Sequence, residues 1–176
     1  MVRDAASGDP AAIERLLQRA QGLAHRFSLA VCGHANDVDD ATQDALVKTY
    51  RYVSRIRQPE TFRTWLYRTV RNACLINRRR RAAEPARFES LEDLAVAVPD
   101  RNPEDAALSD SSSRQLRRAL QQVPPSYRQV IFLRDMEGLS TKEAAVVLGT
   151  SEDNVKTRLR RARVQLRKEL EGPSYD

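Results

Sequence analysis

An acidic, proline-bearing stretch in the middle of the chain constrains the fold more than any other feature. Residues 82 to 113, AAEPARFESLEDLAVAVPDRNPEDAALSDSSS, contain Pro85, Pro99 and Pro103 and show no sustained apolar period. They carry a net charge of −6, against +7 for residues 1 to 81 and +5 for residues 114 to 176. Such a segment adds little to a hydrophobic core. It reads as a flexible acidic linker between two small basic domains, 1–81 and 114–176. With 176 residues, 41% of them hydrophobic, the chain holds enough apolar material for both domains and is not disordered throughout. No apolar run approaches the ~20 residues that cross a bilayer, and MVRDAASGDP has no secretory h-region. A cytoplasmic protein without membrane insertion is therefore expected.

Both flanks read as helical. Asp9-Pro10 offers a cap and a first-turn proline. Ile13, Leu16, Leu17, Ala20, Ala24, Phe27 and Val31 then recur at three- and four-residue steps, ending near Gly33. A second helix is predicted over Val38 to Arg57, its start loaded with Asp37, Asp39, Asp40 and Asp44, which complement the helix dipole. Gln58-Pro59 breaks the chain before a third, about Glu60 to Arg81. Its expected inner face is Phe62, Trp65, Leu66, Thr69, Val70, Ala73 and Ile76. In the second half, a short helix around Arg114 to Gln122 stops at Pro124-Pro125. Ser126 is expected to cap a helix through about Met136, with Tyr127, Val130, Ile131 and Leu133 as its apolar positions. No segment alternates with a period of two, so the fold class is all-α.

The last segment carries the most specific pattern. Ser140-Thr141-Lys142-Glu143 is a capping box, Gly149 closes the short helix it opens, and Ser151 starts a final one. That is the layout of a helix-turn-helix. On the final helix Val155, Leu159, Ala162 and Leu166 form one narrow stripe, and the opposite half is rich in donors. A recognition helix needs this division. Its first turns reach base edges, which singles out Asn154, Lys156, Thr157, Arg160 and Arg161 for readout; Arg158, Arg163 and Arg167 suit phosphates. Asp153 would cap the helix or meet a cytosine amino group. The third helix presents a second polar face, Thr64, Arg68, Arg71 and Asn72, before the run Arg78 to Arg81. Phe62, Trp65 and Tyr67 are interleaved with it, a combination that fits unpaired bases, although Phe62 and Trp65 read first as core.

Nothing points to catalysis. The chain has 2 histidines and 2 cysteines, without metal-ligand spacing, a phosphate-cradling glycine loop or a nucleophile elbow. Cys32 and Cys74 read as buried small hydrophobes rather than as a disulfide or a redox pair. No enzyme activity, no metal and no cofactor are expected.

Taken in order, DVDDATQDALVKTYRYV (Asp37 to Val53), FRTWLYRTVRN (Phe62 to Asn72) and the helix-turn-helix after LQQVPPSYRQVIFLRDMEGLS (Leu120 to Ser140) resemble bacterial sigma factors of the extracytoplasmic-function (ECF) group. The resemblance covers nearly the whole chain outside the linker. It implies a dissociable subunit of RNA polymerase. The first domain would dock on a coiled coil of the largest polymerase subunit through Asp39, Asp40, Gln43 and Asp44. It would also read and open the −10 element through the Ser54–Thr61 loop with Arg68, Arg71 and Asn72. The second domain would read the −35 element through the final helix and meet the flap of the other large subunit. An acidic linker suits a positively charged channel. The resemblance further implies a cognate anti-sigma partner. The alternative is a stand-alone helix-turn-helix DNA-binding regulator, which leaves the acidic second helix without a purpose.

Overall fold

The structure, a computed structural model, describes residues 1–32, 34–83 and 106–171, with the side chains of 106–113 excepted. It is all-helical over these residues and divides into two compact units.

The first unit contains α1 (Val2–Ala6), α2 (Pro10–Val31), α3 (Ala35–Tyr52) and α4 (Phe62–Ala83), with single 3₁₀ turns at Val53–Arg55 and Pro59–Thr61 between α3 and α4. Asp9 caps α2 as expected, its side chain accepting the Ala11 N–H at 3.1 Å, with Pro10 in the first turn. Ala12, Leu16, Ala20, Ala24 and Phe27 of α2 are buried, as are Ala41 and Ala45 of α3. Small residues on facing helices let the backbones approach closely. The hydroxyls in this seam are satisfied locally: Thr42 donates to the Val38 carbonyl at 2.7 Å and Thr49 to that of Ala45 at 2.8 Å. Phe27 meets Tyr67 edge-on, ring centroids 5.0 Å apart, fixing α2 against α4.

Several expectations need correction here. The helix α1 gave no usable signal, because five residues are too few to show a period. The second helix begins at Ala35 rather than Val38 and stops at Tyr52, so Asp37 lies inside its first turn and is buried. Ile76, expected inside, is exposed, whereas Tyr67 and Cys74 are buried. The buried stripe of α4 is wider than the predicted one and includes a seam seven residues apart, Tyr67 and Cys74. Cys32 and Cys74 are joined by a disulfide, Cα atoms 5.2 Å apart, which overturns their reading as free hydrophobes. Forty-two residues separate them in sequence, and only the packing of α2 on α4 brings them together.

The second unit contains α5 (Ala106–Gln122), α6 (Pro125–Ile131), α7 (Thr141–Leu148) as far as Ala145, and α8 (Glu152–Glu171). Helix α5 starts well before Arg114, and α4 runs through Ala83, so both ends of the 82–113 stretch are helical. Residues 84–105, which hold most of the expected linker, lie outside the described residues, as does Gly33. Ser126 does not cap α6: the cap position is Pro124, and Ser126 sits in the first turn behind Pro125. Beyond Ile131 the helix widens into a π turn, Phe132–Met136, closed by the Glu137 N–H to the Phe132 carbonyl at 2.9 Å. Gly138, at φ +67°, reverses the chain. Val130, Phe132, Leu133, Val155 and Ala162 are buried, and α6 and α5 both pack on α8.

Candidate nucleic-acid interface

The helix-turn-helix is built by local chemistry. Ser140 accepts the Glu143 N–H at 3.2 Å while Glu143 accepts the Ser140 N–H at 2.7 Å, the reciprocal capping box. Gly149 ends α7 in the left-handed region, φ +59°, where a side chain would be strained. Ser151 then accepts the Asn154 N–H at 3.2 Å and starts α8. Asp153 takes no part in the cap; it pairs with Lys156 at 3.1 Å.

Along α8, Val155, Leu159 and Ala162 are buried and Leu166 is half-buried. The face opposite is basic. Arg160 and Arg161 are exposed and have no ion pair among the described residues; Thr157 is exposed beside them. Asn154 is occupied on both ends of its amide, donating to Thr150 Oγ1 at 2.7 Å and accepting from Arg158 Nε at 3.0 Å. It therefore holds Arg158 in place as much as it offers an edge to a base. Arg163 forks onto Asp135 of the π turn, Nε to Oδ2 at 3.0 Å and Nη2 to Oδ1 at 2.6 Å. The carboxylate's hydrogen bonds and charge raise the pKa of that guanidinium. Its remaining donors stay available. Arg163 lines a groove of about 370 Å³ together with Arg134, Thr141, Lys156, Arg160 and Arg167. A second recess of about 350 Å³ lies between Tyr127 and Arg160, Arg161 and Val164. Two cationic recesses flanking one ridge suit a polyanion; neither is an enclosed small-molecule cavity.

The first unit presents two further polar faces. On α3, Asp39, Asp40 and Gln43 are exposed, and Asp44 is half-buried and paired with Lys48 at 2.6 Å. Val47, 47% exposed, and Tyr50, 63% exposed, continue the row from Gln43 at steps of four and three. Sequence reasoning passed over these two, and the helical spacing was the signal that would have found them. On α4, Arg68 and Asn72 are exposed and Arg71 is half-buried; all three fall within one turn. Phe62 is buried and stacks on half-buried Trp65 at 6.0 Å. In the loop before them, the Arg55 guanidinium lies 5.3 Å from the Tyr52 ring centroid. Arg78, Arg79 and Arg80 are exposed, but Arg81 turns inward to Asp37. Burial pushes the Asp37 carboxyl pKa up, and the Arg81 and His34 charges only partly offset it. Among the described residues no three His, Cys, Asp or Glu side chains gather as a metal site would require. No described helix is long and apolar enough to cross a membrane.

Comparison with known proteins agrees with this geometry. Residues 12–84 match the family described as Sigma-70 region 2, and residues 113–166 match Sigma-70, region 4. The ECF RNA polymerase sigma factor SigE of Mycolicibacterium smegmatis is 34% identical over 167 residues, 92% of this chain. The chain spans 64% of that relative's length. The ECF RNA polymerase sigma factor SigM of Mycobacterium tuberculosis is 34% identical over 161 residues, covering 91% of this chain and 78% of its own. The fold is similar to that of the sigma factor RpoE from Bartonella quintana, solved with the anti-sigma factor NepR, with a TM-score of 0.69 and 21% identity over 90% of this chain and 96% of that one. With region 2 and region 4 matched in order, and curated ECF relatives at this identity, the chain belongs to the ECF sigma factors of the sigma-70 family.

Proposed function

We propose that this protein recruits core RNA polymerase to a two-part promoter. Residues 1–81 would act as the docking and −10 module, and residues 114–176 as the −35 module. Asp39, Asp40, Gln43 and Asp44 dock on a basic coiled coil of the largest polymerase subunit, and Val47 and Tyr50 extend that contact with apolar surface. Arg68, Arg71 and Asn72 read the −10 element as it opens, helped by the loop from Ser54 to Thr61. Arg160 and Arg161 read −35 base edges with Lys156, Thr157 and Asn154, while Arg158 and Arg163 grip phosphates. The α6 segment serves the flap of the other large subunit. The acidic stretch 82–113 tethers the two modules, so that the second DNA contact becomes intramolecular once the first is made. The protein works in the cytoplasm, and a cognate anti-sigma factor holds it inactive; the complex in which the Bartonella RpoE was solved supports that partner class.

The observation that carries this reading is α8, a buried seam of Val155, Leu159 and Ala162 beneath exposed Arg160 and Arg161, which make no ion pair among the described residues, aimed by a capped turn. Run-off transcription with purified core enzyme and genomic fragments tests it. Initiation at discrete sites that disappears when Asp40 and Asp44 are both changed to Lys is the expected result. Failure to initiate at any site, or tight binding of a specific duplex without core enzyme, overturns it in favour of a stand-alone regulator.

A further inference from the structure

The docking and promoter surfaces leave the two cysteines unused. Cys32 closes α2, and α3 begins three residues later; Cys74 lies within α4, two residues after Asn72 and three after Arg71. Their disulfide therefore ties the turn that leads into the acidic helix to the helix that bears the −10 candidates. Seven residues further along α4, on the same face, Arg81 makes a second tie to Asp37 of α3. One seam thus carries a covalent link and an ionic link, and only the covalent one responds to electrons.

Two observations set this bond apart from a permanent staple. A polymerase subunit works where dithiol systems keep thiols reduced, and disulfides found there are mostly transient and redox-sensing. The fold also has a place for the reduced form. The Asp37 carbonyl oxygen lies 3.5 Å from Cys32 Sγ, positioned to accept a thiol proton. Both cysteines are buried, 7% and 4% exposed, in surroundings that suit a free thiol as a small hydrophobe. Either oxidation state is accommodated.

We propose that Cys32 and Cys74 form a reversible redox site, oxidised by peroxide and reduced by a dithiol, that fastens the docking helix to the −10 helix under oxidising conditions. In oxidation, the thiolate of Cys32, the more exposed of the two cysteines, attacks a peroxide oxygen. The O–O bond breaks, leaving a sulfenic acid and, after protonation, one water. The Cys74 thiolate then attacks that sulfur, the S–S bond forms, and hydroxide leaves as a second water. Two thiols lose two electrons and hydrogen peroxide gains them. In reversal, a dithiol attacks the Cys32 sulfur, passes through a mixed disulfide and departs as its own disulfide, leaving both cysteines protonated.

This inference rests on the sigma-factor reading for its consequence, but its chemistry is measured separately. The full-length protein is equilibrated in glutathione buffers of graded redox poise. The disulfide fraction is read by mass shift after thiol alkylation, alongside thermal melting and run-off transcription with core enzyme. A reversible two-electron transition within the cytosolic range is expected. The oxidised form should melt roughly 15 °C or more above the reduced one and initiate more strongly near the melting range of the reduced form. Hydrogen peroxide should re-form the bond in reduced protein, and the Cys32→Ala, Cys74→Ala protein should transcribe without regard to poise. A bond that resists dithiothreitol in the folded protein, or thiols that peroxide does not join, overturns the proposal. So does a poise dependence that survives in the double variant, and wild-type oxidised and reduced protein alone decide the matter if that variant does not fold. Absence of transcription in both states, with the alkylation transition intact, would count against the sigma-factor reading instead.

Discussion

The two units hold their working helices in place by different means. In the first, the ties join residues far apart in sequence: Cys32 to Cys74, Asp37 to Arg81, Phe27 to Tyr67. In the second, the angle of the recognition helix is set by the Ser140–Glu143 box, the left-handed Gly149 and the Ser151 cap, all within a dozen residues. Those local devices are backbone geometry and short-range hydrogen bonds, with the Glu143 carboxylate as their charged member. The distant ties include a disulfide, which responds to redox poise, and a partly buried Asp37–Arg81 ion pair, which responds to pH. The first unit is therefore the one whose long-range ties answer to redox poise, whereas the helix-turn-helix of the second is set by chemistry close by in sequence.

The largest expected effect sharpens this contrast. Reducing the disulfide frees a loop of 42 residues, which chain entropy values at about 4 kcal/mol. Calorimetry should show the melting transition of the first unit falling and that of the second unmoved; a common shift of both would break the distinction. Next comes promoter choice. Arg160→Ala or Arg161→Ala should cost about 1–3 kcal/mol and relax −35 sequence preference in competition transcription assays. Arg163→Ala should instead weaken all promoters alike and lower the salt slope by about one. Equal losses on matched and scrambled −35 sites for all three variants would show the readout assignment to be wrong. Ser140→Ala should then remove about 1 kcal/mol from the second unit, seen as a lower denaturant midpoint with the first unit unaffected.

The smallest effect concerns Asp37. Its carboxyl pKa is raised by burial despite Arg81, so its contribution to stability is present below the ordinary carboxylate range and is lost as pH rises through the raised value. Asp37→Asn should flatten that part of the pH–stability curve and shift the neutral-pH melting temperature only slightly, because the pair's attraction is largely offset by desolvation. A large destabilisation at neutral pH would make the ion pair, rather than the disulfide, the main fastening of the first unit.

What could be read from the sequence follows the same division. The capping box, Gly149 and the α8 stripe were legible because each signal lies within a few residues of the structure it makes. The acidic row on α3 and the arginines of α4 were legible as helix faces. The cysteine pairing was not, since no local pattern links residues 42 apart. Tyr67 was grouped with the aromatics interleaved in the polar face and suited to unpaired bases, yet it is buried, because Phe27 of α2 receives it. The occupation of Arg163 by Asp135 depends on the π turn, whose extra residue leaves no mark on apolar periodicity.

That wide turn at Phe132–Met136 has a consequence of its own. A π turn spreads its extra residue over one widened loop of helix, so the rotation it sweeps is close to that of an ordinary turn one residue shorter. Deleting Asp135 would therefore tighten the bend to regular pitch and leave α7 and α8 nearly in phase, while stripping the Arg163 guanidinium of its carboxylate. One codon at that bend thus sets the charge balance of the neighbouring basic surface without turning it.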